Sequence, residues 1–388
     1  KGHYAYVTGW EGIQILDIAD PADPQIVGFQ PLPHFENEDV DLCGNTLLVS
    51  NDREREDYGA VLYVFDISDP ETLSLQATLP VGLAGGTRGG GHIANFVKKD
   101  CSQVWLDGGN NVDVIDLTDP AAPKHLGKFE SKASMSEAFK VSHDTELDSQ
   151  GIAWNVGGGG AAGYKLTSNP LKPKLLASTG KAAVNPSKTN DFILHNSQRR
   201  GNTLLITEED YVDTDEVPPG SCHGQGHFET WSLSNMDAGK VTFQDMWETE
   251  LNGFIAGGSE DSKAPVTANC SSHWFDTKAG ISAVGWYEQG VRFLDSRNPT
   301  KIRQVGYYIP PDGSVWAAYW SPTDKSGQIV YTADAQRGID VLRIKGGGRK
   351  AGTPTVKAPI LKRWFGTTPS VGYIPSERFG YACPIKNI

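Results

Sequence analysis

The sequence lacks long apolar runs and is short of basic side chains. No stretch approaches the roughly 20 apolar residues that a membrane-spanning helix needs. There are 35 Lys and Arg against 47 Asp and Glu, which gives a formal charge of −12. This charge opposes the attraction on which binding to nucleic acids and anionic membranes depends. We therefore expect neither a membrane span nor a nucleic-acid partner.

Helical patterns are also scarce, whereas turn-forming residues are abundant. The 388 residues include 44 Gly and 23 Pro, and 38% are hydrophobic, which is enough for a large core. Many turns and a sizeable core without helical periodicity are typical of all-β proteins.

A repeated pattern defines the architecture. Seven segments with strand alternation recur, most of them about 50 residues apart, which is typical of four-stranded propeller blades. They occupy residues 13–18, 61–67, 112–117, 162–166, 228–233, 291–295 and 339–344. Four of them end in a turn with Asp-Pro or Asn-Pro, which blocks strand continuation and marks the hairpin into the outer strand. We predict one domain, residues 1–388, folded as a seven-bladed β-propeller of four-stranded blades.

These repeats, with the segments 269–275, 285–293 and 316–320, resemble actinobacterial members of the LVIVD-repeat family. That family consists of propeller proteins that are mostly secreted or surface-exposed and mostly without assigned activity. The resemblance therefore implies a propeller fold and a secreted or cell-surface location, and it implies no reaction.

Closure of the ring depends on the two ends of the chain. If the strands of a blade are named A to D from the channel outward, the repeats are C strands, and the first repeat has no A strand ahead of it. The segment 377–382 regains strand alternation and can supply that strand, so that N- and C-terminal strands share one blade. The alternative is a disordered tail after Gly346 to Gly348.

The inner strands carry the candidate site. In a propeller, the start of each A strand and the end of each B strand meet at one mouth of the channel. Alignment of the A strands places Glu38, His92, His143, His195, His273 and Trp316 at equivalent heights. Neutral imidazoles on neighbouring strands can share a transition metal. We predict that His92, His143, His195 and His273 bind Cu, Fe or Zn, and the alternative is a water-lined channel.

Acidic residues at the ends of the B strands lie near the same mouth: Asp52, Glu208, Glu209 and Asp334. A carboxylate there can orient a metal ligand or act as a base. We favour Glu208, together with Glu38, as the catalytic carboxylates. The acidic loop 208–226 could bind Ca²⁺ or form a lid, although a solvated loop is the better interpretation.

The five cysteines are an odd number, so at least one has no intramolecular partner. We predict a disulfide between Cys222 and Cys270, which pins the acidic loop over the mouth. Cys43, Cys101 and Cys383 map to the opposite face, where Cys43 can pair with either of the other two. Such pairs are expected in an oxidising compartment.

Two classes of function remain open. The first is a metal-dependent oxidoreductase or lyase whose small-molecule or peptide ligand binds at the channel mouth. The second is a non-catalytic extracellular scaffold for a protein, peptide or glycan. Its contact residues would be the aromatic side chains Trp10, Trp286, Tyr287, Trp316 and Trp320. In either class we expect a monomer.

Overall fold

The computed structural model describes residues 1–34, 37–52, 60–81, 91–134, 140–180, 193–209, 222–223, 226–250, 268–310, 313–344 and 355–356. These residues form strands, together with short 3₁₀ turns at Lys132–Ser134 and Met236–Ala238. None of the helical segments described has the length and apolar character of a membrane span.

Apart from a two-stranded parallel pair formed by residues 222–223 and 268–269, the strands form seven antiparallel sheets arranged as a β-propeller with mostly four-stranded blades. This confirms the predicted all-β, seven-bladed propeller. Blade 1 contains β1 (Tyr4–Gly9), β2 (Gly12–Asp17) and β3 (Gln25–Pro31). Blade 2 contains β4 (Asn37–Cys43), β5 (Thr46–Asn51), β6 (Ala60–Asp66) and β7 (Ser74–Val81). Blade 3 contains β8 (Ala94–Phe96), β9 (Gln103–Leu106), β10 (Val112–Asp116) and β11 (Lys124–Phe129).

The remaining blades follow the same order from the channel outward. Blade 4 contains β12 (Ser142–Leu147), β13 (Ile152–Gly157), β14 (Gly160–Lys165) and β15 (Lys174–Ser178). Blade 5 contains β16 (Ile193–Arg200), β17 (Thr203–Glu209), β19 (Phe228–Ser232) and β20 (Thr242–Trp247). Blade 6 contains β22 (Phe275–Lys278), β23 (Ile281–Gly285), β24 (Val291–Asp295) and β25 (Arg303–Tyr308). Blade 7 contains β26 (Val315–Trp320), β27 (Ile329–Asp334), β28 (Val341–Arg343) and β29 (Thr355–Val356).

The repeated aspartates explain the turns between the third and fourth strands. The Asp66 carboxylate accepts the backbone N–H of Ser68 at 2.6 Å, and Asp116 accepts that of Thr118 at 2.9 Å. Asp17 and Asp295 make the equivalent bonds two residues downstream. An aspartate that bonds its own backbone in this way stabilises a turn, so the Asp-Pro signal predicted these hairpins correctly.

The hydrophobic core consists of seven clusters, each lying between two adjacent blades of the described chain. The cluster between the last and first blades joins Ile329, Ile339 and Val341 to Leu16 and Ile18. Blades 7 and 1 therefore pack together by their side chains. The segment 377–382, which we expect to complete blade 1, lies outside the described residues.

A disulfide links the inner regions of blades 2 and 3. Cys43, at the end of β4, is bonded to Cys101, with a Cα–Cα distance of 5.6 Å. Of the two partners left open by the sequence, Cys43 therefore takes Cys101, and Cys383 lies outside the described residues. Cys270 is also disulfide-bonded. β18 (Cys222–His223) pairs in parallel with β21 (Ala268–Asn269), but the Cys222 side chain is not among those described, so the pair with Cys270 stays a prediction.

Candidate functional site

The innermost strands are bulged where the candidate residues lie. The pairing of these strands with their neighbours skips one residue at each of four positions: Glu38, His143, His195 and Trp316. In blade 3, the N–H groups of Gly91 and His92 both donate to the carbonyl of Asp107. A bulge bends the strand and re-aims the extra side chain. The same backbone device therefore turns one residue out of the regular pleat in each of these five blades.

The structure brings the four histidines into one continuous cluster. The ring centroids are 4.7 Å apart for His92 and His143, 4.1 Å for His143 and His195, and 3.9 Å for His195 and His273. None of the four is more than 5% exposed. Four buried imidazoles in sequential contact form one site, which we call the histidine cluster.

Backbone hydrogen bonds fix the orientation of two of these rings. His143 donates from Nδ1 to the carbonyl of His195 at 2.8 Å, and His273 donates from Nδ1 to the carbonyl of Trp316 at 2.9 Å. A proton held on Nδ1 leaves the lone pair on Nε2, which is the common arrangement for a histidine that ligates a metal. The Nε2 of His143 accepts a bond from His92 Nε2 at 3.1 Å.

Among the described residues, no backbone carbonyl fixes the ring of His195. Its side chain is completely buried, and neither ring nitrogen has a hydrogen-bond partner among the described residues. Leaving two polar nitrogens unsatisfied in a buried site costs about 1–3 kcal/mol for each group. A buried imidazole of this kind is explained if one nitrogen binds a ligand.

A carboxylate completes the donor set. Glu209, at the end of β17, lies with one oxygen 3.8 Å from His195 Nε2 and the other 4.0 Å from His273 Nε2. The hydroxyl of Tyr287 donates to Glu209 and fixes its position. Ligand atoms of His143, His195 and Glu209 all lie within 4.8 Å of one another, a spacing that one metal ion can bridge.

Burial and neighbouring charges divide the cluster into two kinds of imidazole. Burial lowers the pKa of His143 and His195 well below the usual value, and the neighbouring imidazoles lower it further. Burial also lowers the pKa of His273 to about 3. These three rings are therefore neutral at pH 7, which is the form that binds a metal.

His92 differs because it faces two carboxylates. Its Nδ1 lies 3.0 Å from Asp52 Oδ2, and its Nε2 lies 3.8 Å from Glu38 Oε1. Burial opposes a charge on His92, but Glu38 and Asp52 outweigh burial and raise its pKa to about 9. Glu38 thus contacts the cluster at its His92 end, where we expected a catalytic carboxylate.

Glu208, the carboxylate favoured from the sequence, faces a different neighbour. Leu204 and Ile206 pack toward blade 4, and Leu205 packs toward blade 6. Alternation along β17 then places Glu208 on the blade 4 side and Glu209 on the blade 6 side. The placement of Glu208 beside the histidines is corrected accordingly, because Glu209 lies there instead.

Glu208 belongs to a second buried cluster that the sequence did not suggest. It is bonded to Nδ1 of His227, and Nε2 of His227 lies 3.0 Å from Glu248. Ligand atoms of Glu208, His227 and Glu229 also lie within 4.8 Å of one another. The sequence does contain a signal for this cluster. His227, Glu229 and the core residue Trp231 alternate along the strand, so all three lie on the side that faces blade 4.

Asp334 and the acidic loop 208–226 were two further candidates from the sequence. Asp334 accepts the N–H groups of Ser314, Gln336 and Arg337, so it closes a turn rather than facing the histidines. Most of the acidic loop 208–226 lies outside the described residues.

Comparison with known proteins supports the fold and leaves the reaction open. The LVIVD-repeat profile matches residues 1–29, which lie in blade 1. No curated protein matches the chain significantly. A periplasmic gluconolactonase of Pseudomonas aeruginosa is similar in structure, with 12% identity, a TM-score of 0.65, and coverage of 92% of this chain and 96% of that one.

Two further solved structures have the same degree of similarity. A putative 6-phosphogluconolactonase from Bacteroides uniformis has 12% identity and a TM-score of 0.59, covering 91% of this chain and 96% of that one. A hypothetical selenium-binding protein from Sulfolobus tokodaii has 12% identity and a TM-score of 0.58, covering 92% of this chain and 90% of that one. At this identity, these similarities show the propeller fold alone.

Proposed function

We propose that this propeller is a metal-dependent enzyme that holds a transition metal with His143, His195 and Glu209, and with His273 as a further donor. The observation that carries the proposal is His195, which is buried and has no hydrogen bond to either ring nitrogen within the described chain. Its neighbours supply a second imidazole and a carboxylate at ligand spacing.

The donor set fits the group that we propose. Two imidazoles and one carboxylate with open positions are typical of non-haem iron sites, whereas imidazoles also suit Cu and Zn. We favour iron among these three metals. Such an ion supplies redox or Lewis-acid chemistry at the channel mouth.

The surrounding residues have roles in positioning and charge. Tyr287 holds the Glu209 carboxylate through its hydroxyl. Backbone carbonyls hold the Nδ1 protons of His143 and His273, so that each would bind the metal through Nε2. On His143, the metal would replace the hydrogen bond from His92. Burial of all these side chains keeps bulk water away from the donors and strengthens their electrostatic interactions.

The reaction class that we propose is an oxidation or an elimination of a small molecule or peptide bound at the mouth. Two of the similar structures are described as gluconolactonases, one of them putative, which supports an enzyme over a scaffold. We also propose a monomeric, secreted or cell-surface protein, and the Cys43–Cys101 disulfide supports that location.

The scaffold alternative has less support. Trp286, Tyr287 and Trp320, three of its expected contact residues, are no more than 8% exposed. The indole N–H of Trp286 donates to the carbonyl of Cys270, and that of Trp320 donates to the carbonyl of Ile281. These aromatic residues stabilise the blades.

Metal content tests the proposal. The protein is purified without chelator or a histidine tag, offered Fe²⁺, Cu²⁺ and Zn²⁺ separately, and analysed by mass spectrometry for metal per chain. We expect about one equivalent in the wild type and strong loss in His195→Ala, because removal of one donor leaves the others unable to hold the ion.

His3→Ala is the matched control, because His3 is exposed and lies outside the cluster. Circular dichroism establishes that each variant is folded. Equal metal content in all three proteins, or none in the wild type, would contradict the proposal.

A further inference from the structure

A second ring of polar side chains lines the channel three residues beyond the first. On the six described inner strands, the residues that follow Glu38, the four histidines and Trp316 by three positions are Asp41, Asn95, Glu146, Gln198, Asp276 and Tyr319. We call this set the acidic ring, because three of its members carry carboxylates. It offers only oxygen and amide groups and no imidazole.

Part of the acidic ring has a structural role. The channel-facing edge of an inner strand has no paired strand beside it to accept its N–H groups. Asp41 accepts the N–H of Phe96 at 2.8 Å, and Asp276 accepts that of Trp320 at 3.0 Å. Gln198 likewise accepts the N–H of Thr277 at 3.0 Å. Each of these oxygens therefore caps the inner strand of the next blade.

Blade 4 departs from this arrangement. Its inner strand contributes Asp144 and Glu146, and neither accepts an N–H group from β16 among the described residues. Asp144 is 1% exposed; its Oδ1 accepts a bond from Asn95 at 2.9 Å, and its Oδ2 has no partner in the described chain. No described residue donates a hydrogen bond to the Glu146 carboxylate. Capping therefore does not account for these two carboxylates.

The charges around these groups are mainly negative. Burial, together with the charges of Asp41, Asp276 and Asp148, raises the pKa of Glu146 to about 8. Carboxylates that repel one another in a confined space are a favourable environment for a cation.

We propose that the acidic ring binds a hydrated divalent cation, Ca²⁺, on the channel axis beside Asp144 and Glu146. Oxygen donors from carboxylates and amides are the ligands that Ca²⁺ prefers, whereas the histidine cluster selects softer metals. The acidic ring is not among the described groups that bring three ligand atoms within 4.8 Å of one another. Water therefore supplies part of the coordination shell, as is common for hard cations.

This site is independent of the proposed enzyme function, and its test is separate. Protein stripped with EDTA is dialysed into chelator-free buffer and titrated with Ca²⁺ by isothermal calorimetry. We expect one Ca²⁺ per chain in the wild type and at least about tenfold weaker binding in Glu146→Gln, because Gln cannot ionise to a carboxylate ligand and has nearly the same volume. Ca²⁺ should also raise the melting temperature of the wild type, because it binds the folded chain.

Three further variants make the result specific. Glu130→Gln removes an equal charge from an exposed surface position and should bind Ca²⁺ like the wild type. His195→Ala should also bind Ca²⁺ normally, because its ring is outside the acidic ring. Asp144→Asn should weaken binding as Glu146→Gln does. No Ca²⁺ binding up to about 10 mM, or equal affinity in wild type and Glu146→Gln, would overturn the inference.

Discussion

Glu208 and Glu209 are consecutive residues, yet their carboxylates lie in different clusters. Glu209 faces His195 and His273 and is held by Tyr287, whereas Glu208 is bonded to His227. The pleat of a strand turns successive side chains to opposite faces, so a shift of one residue changes the site that a carboxylate serves. At the residue scale, the chemistry of this face depends on that alternation.

Glu209→Gln should therefore weaken metal binding, whereas Glu208→Gln should lower the stability of the fold. We expect Glu209→Gln to weaken metal binding by about 10- to 100-fold with little change in stability, because it alters a donor. Glu208→Gln should keep metal binding and destabilise the fold by about 3 kcal/mol, because it breaks a buried ion pair with His227. Metal titration and denaturant unfolding measure the two effects. Loss of metal in Glu208→Gln with retention in Glu209→Gln would contradict the assignment.

Bulges at the start of the inner strands determine the element-scale geometry. The sequence predicted the third strand of every blade and the Asp-Pro turns, because alternation and turn residues are local signals. It also placed the four histidines at one height, because counting back from the closing turn of each inner strand avoids most of the error that a bulge introduces. The bulges themselves have no sequence signature here. Which of Glu208 and Glu209 faces the histidines depends on the phase of the pleat at the end of β17, which the sequence prediction did not resolve.

Gly108 supports one of these bulged segments. Its φ is +101°, and a Cβ added there would lie 2.4 Å from the Cβ of His92. Gly151 also has a positive φ, +77°, but a Cβ there would have open space. We expect Gly108→Ala and Gly151→Ala each to lose about 1–2 kcal/mol of stability from backbone strain.

Only Gly108→Ala should also disturb the site, because the added methyl group displaces His92 and through it His143. We expect its metal affinity to fall by about tenfold while that of Gly151→Ala stays at the wild-type value. Metal titration of both variants against the wild type measures this difference. Equal metal affinity in the two variants would show that the position of His92 does not matter for binding.

At the scale of the whole molecule, the seven hydrophobic clusters lie between adjacent blades and hold the ring together, and none of them fills the centre. The channel is consequently lined by polar groups, with the histidine cluster near one end and the Cys43–Cys101 disulfide near the other, since Glu38 and Cys43 lie at opposite ends of β4. The acidic ring lies between them. A confined set of acids makes the stability of the fold sensitive to pH.

Glu146 is the clearest example of a group that makes the stability of the fold depend on pH. Its pKa is raised from 4.5 to about 8 in the folded chain, so folding favours the protonated carboxyl. Its contribution to stability is therefore complete below about pH 4.5 and is lost as the pH rises through about 8. In the presence of EDTA, we expect the free energy of unfolding of the wild type to decrease from pH 6.5 to 8.5 relative to that of Glu146→Gln.

Denaturant unfolding of both proteins at several pH values measures this difference, with Glu130→Gln as the charge-matched surface control. The comparison between variants isolates Glu146 from the histidines, whose titration is common to all three proteins. Parallel curves for wild type and Glu146→Gln would show that Glu146 has an ordinary pKa.

The bulged inner strands also bear on how such proteins diverge. Each bulge is a feature of the backbone, and residues as different as Glu38, His143 and Trp316 occupy equivalent positions within it. The identity of the donor can therefore change by point mutation without a change in blade pairing. A lineage of propellers can acquire or lose a metal centre one blade at a time, which gives a physical reason why chains that share this fold at 12% identity need not share a reaction.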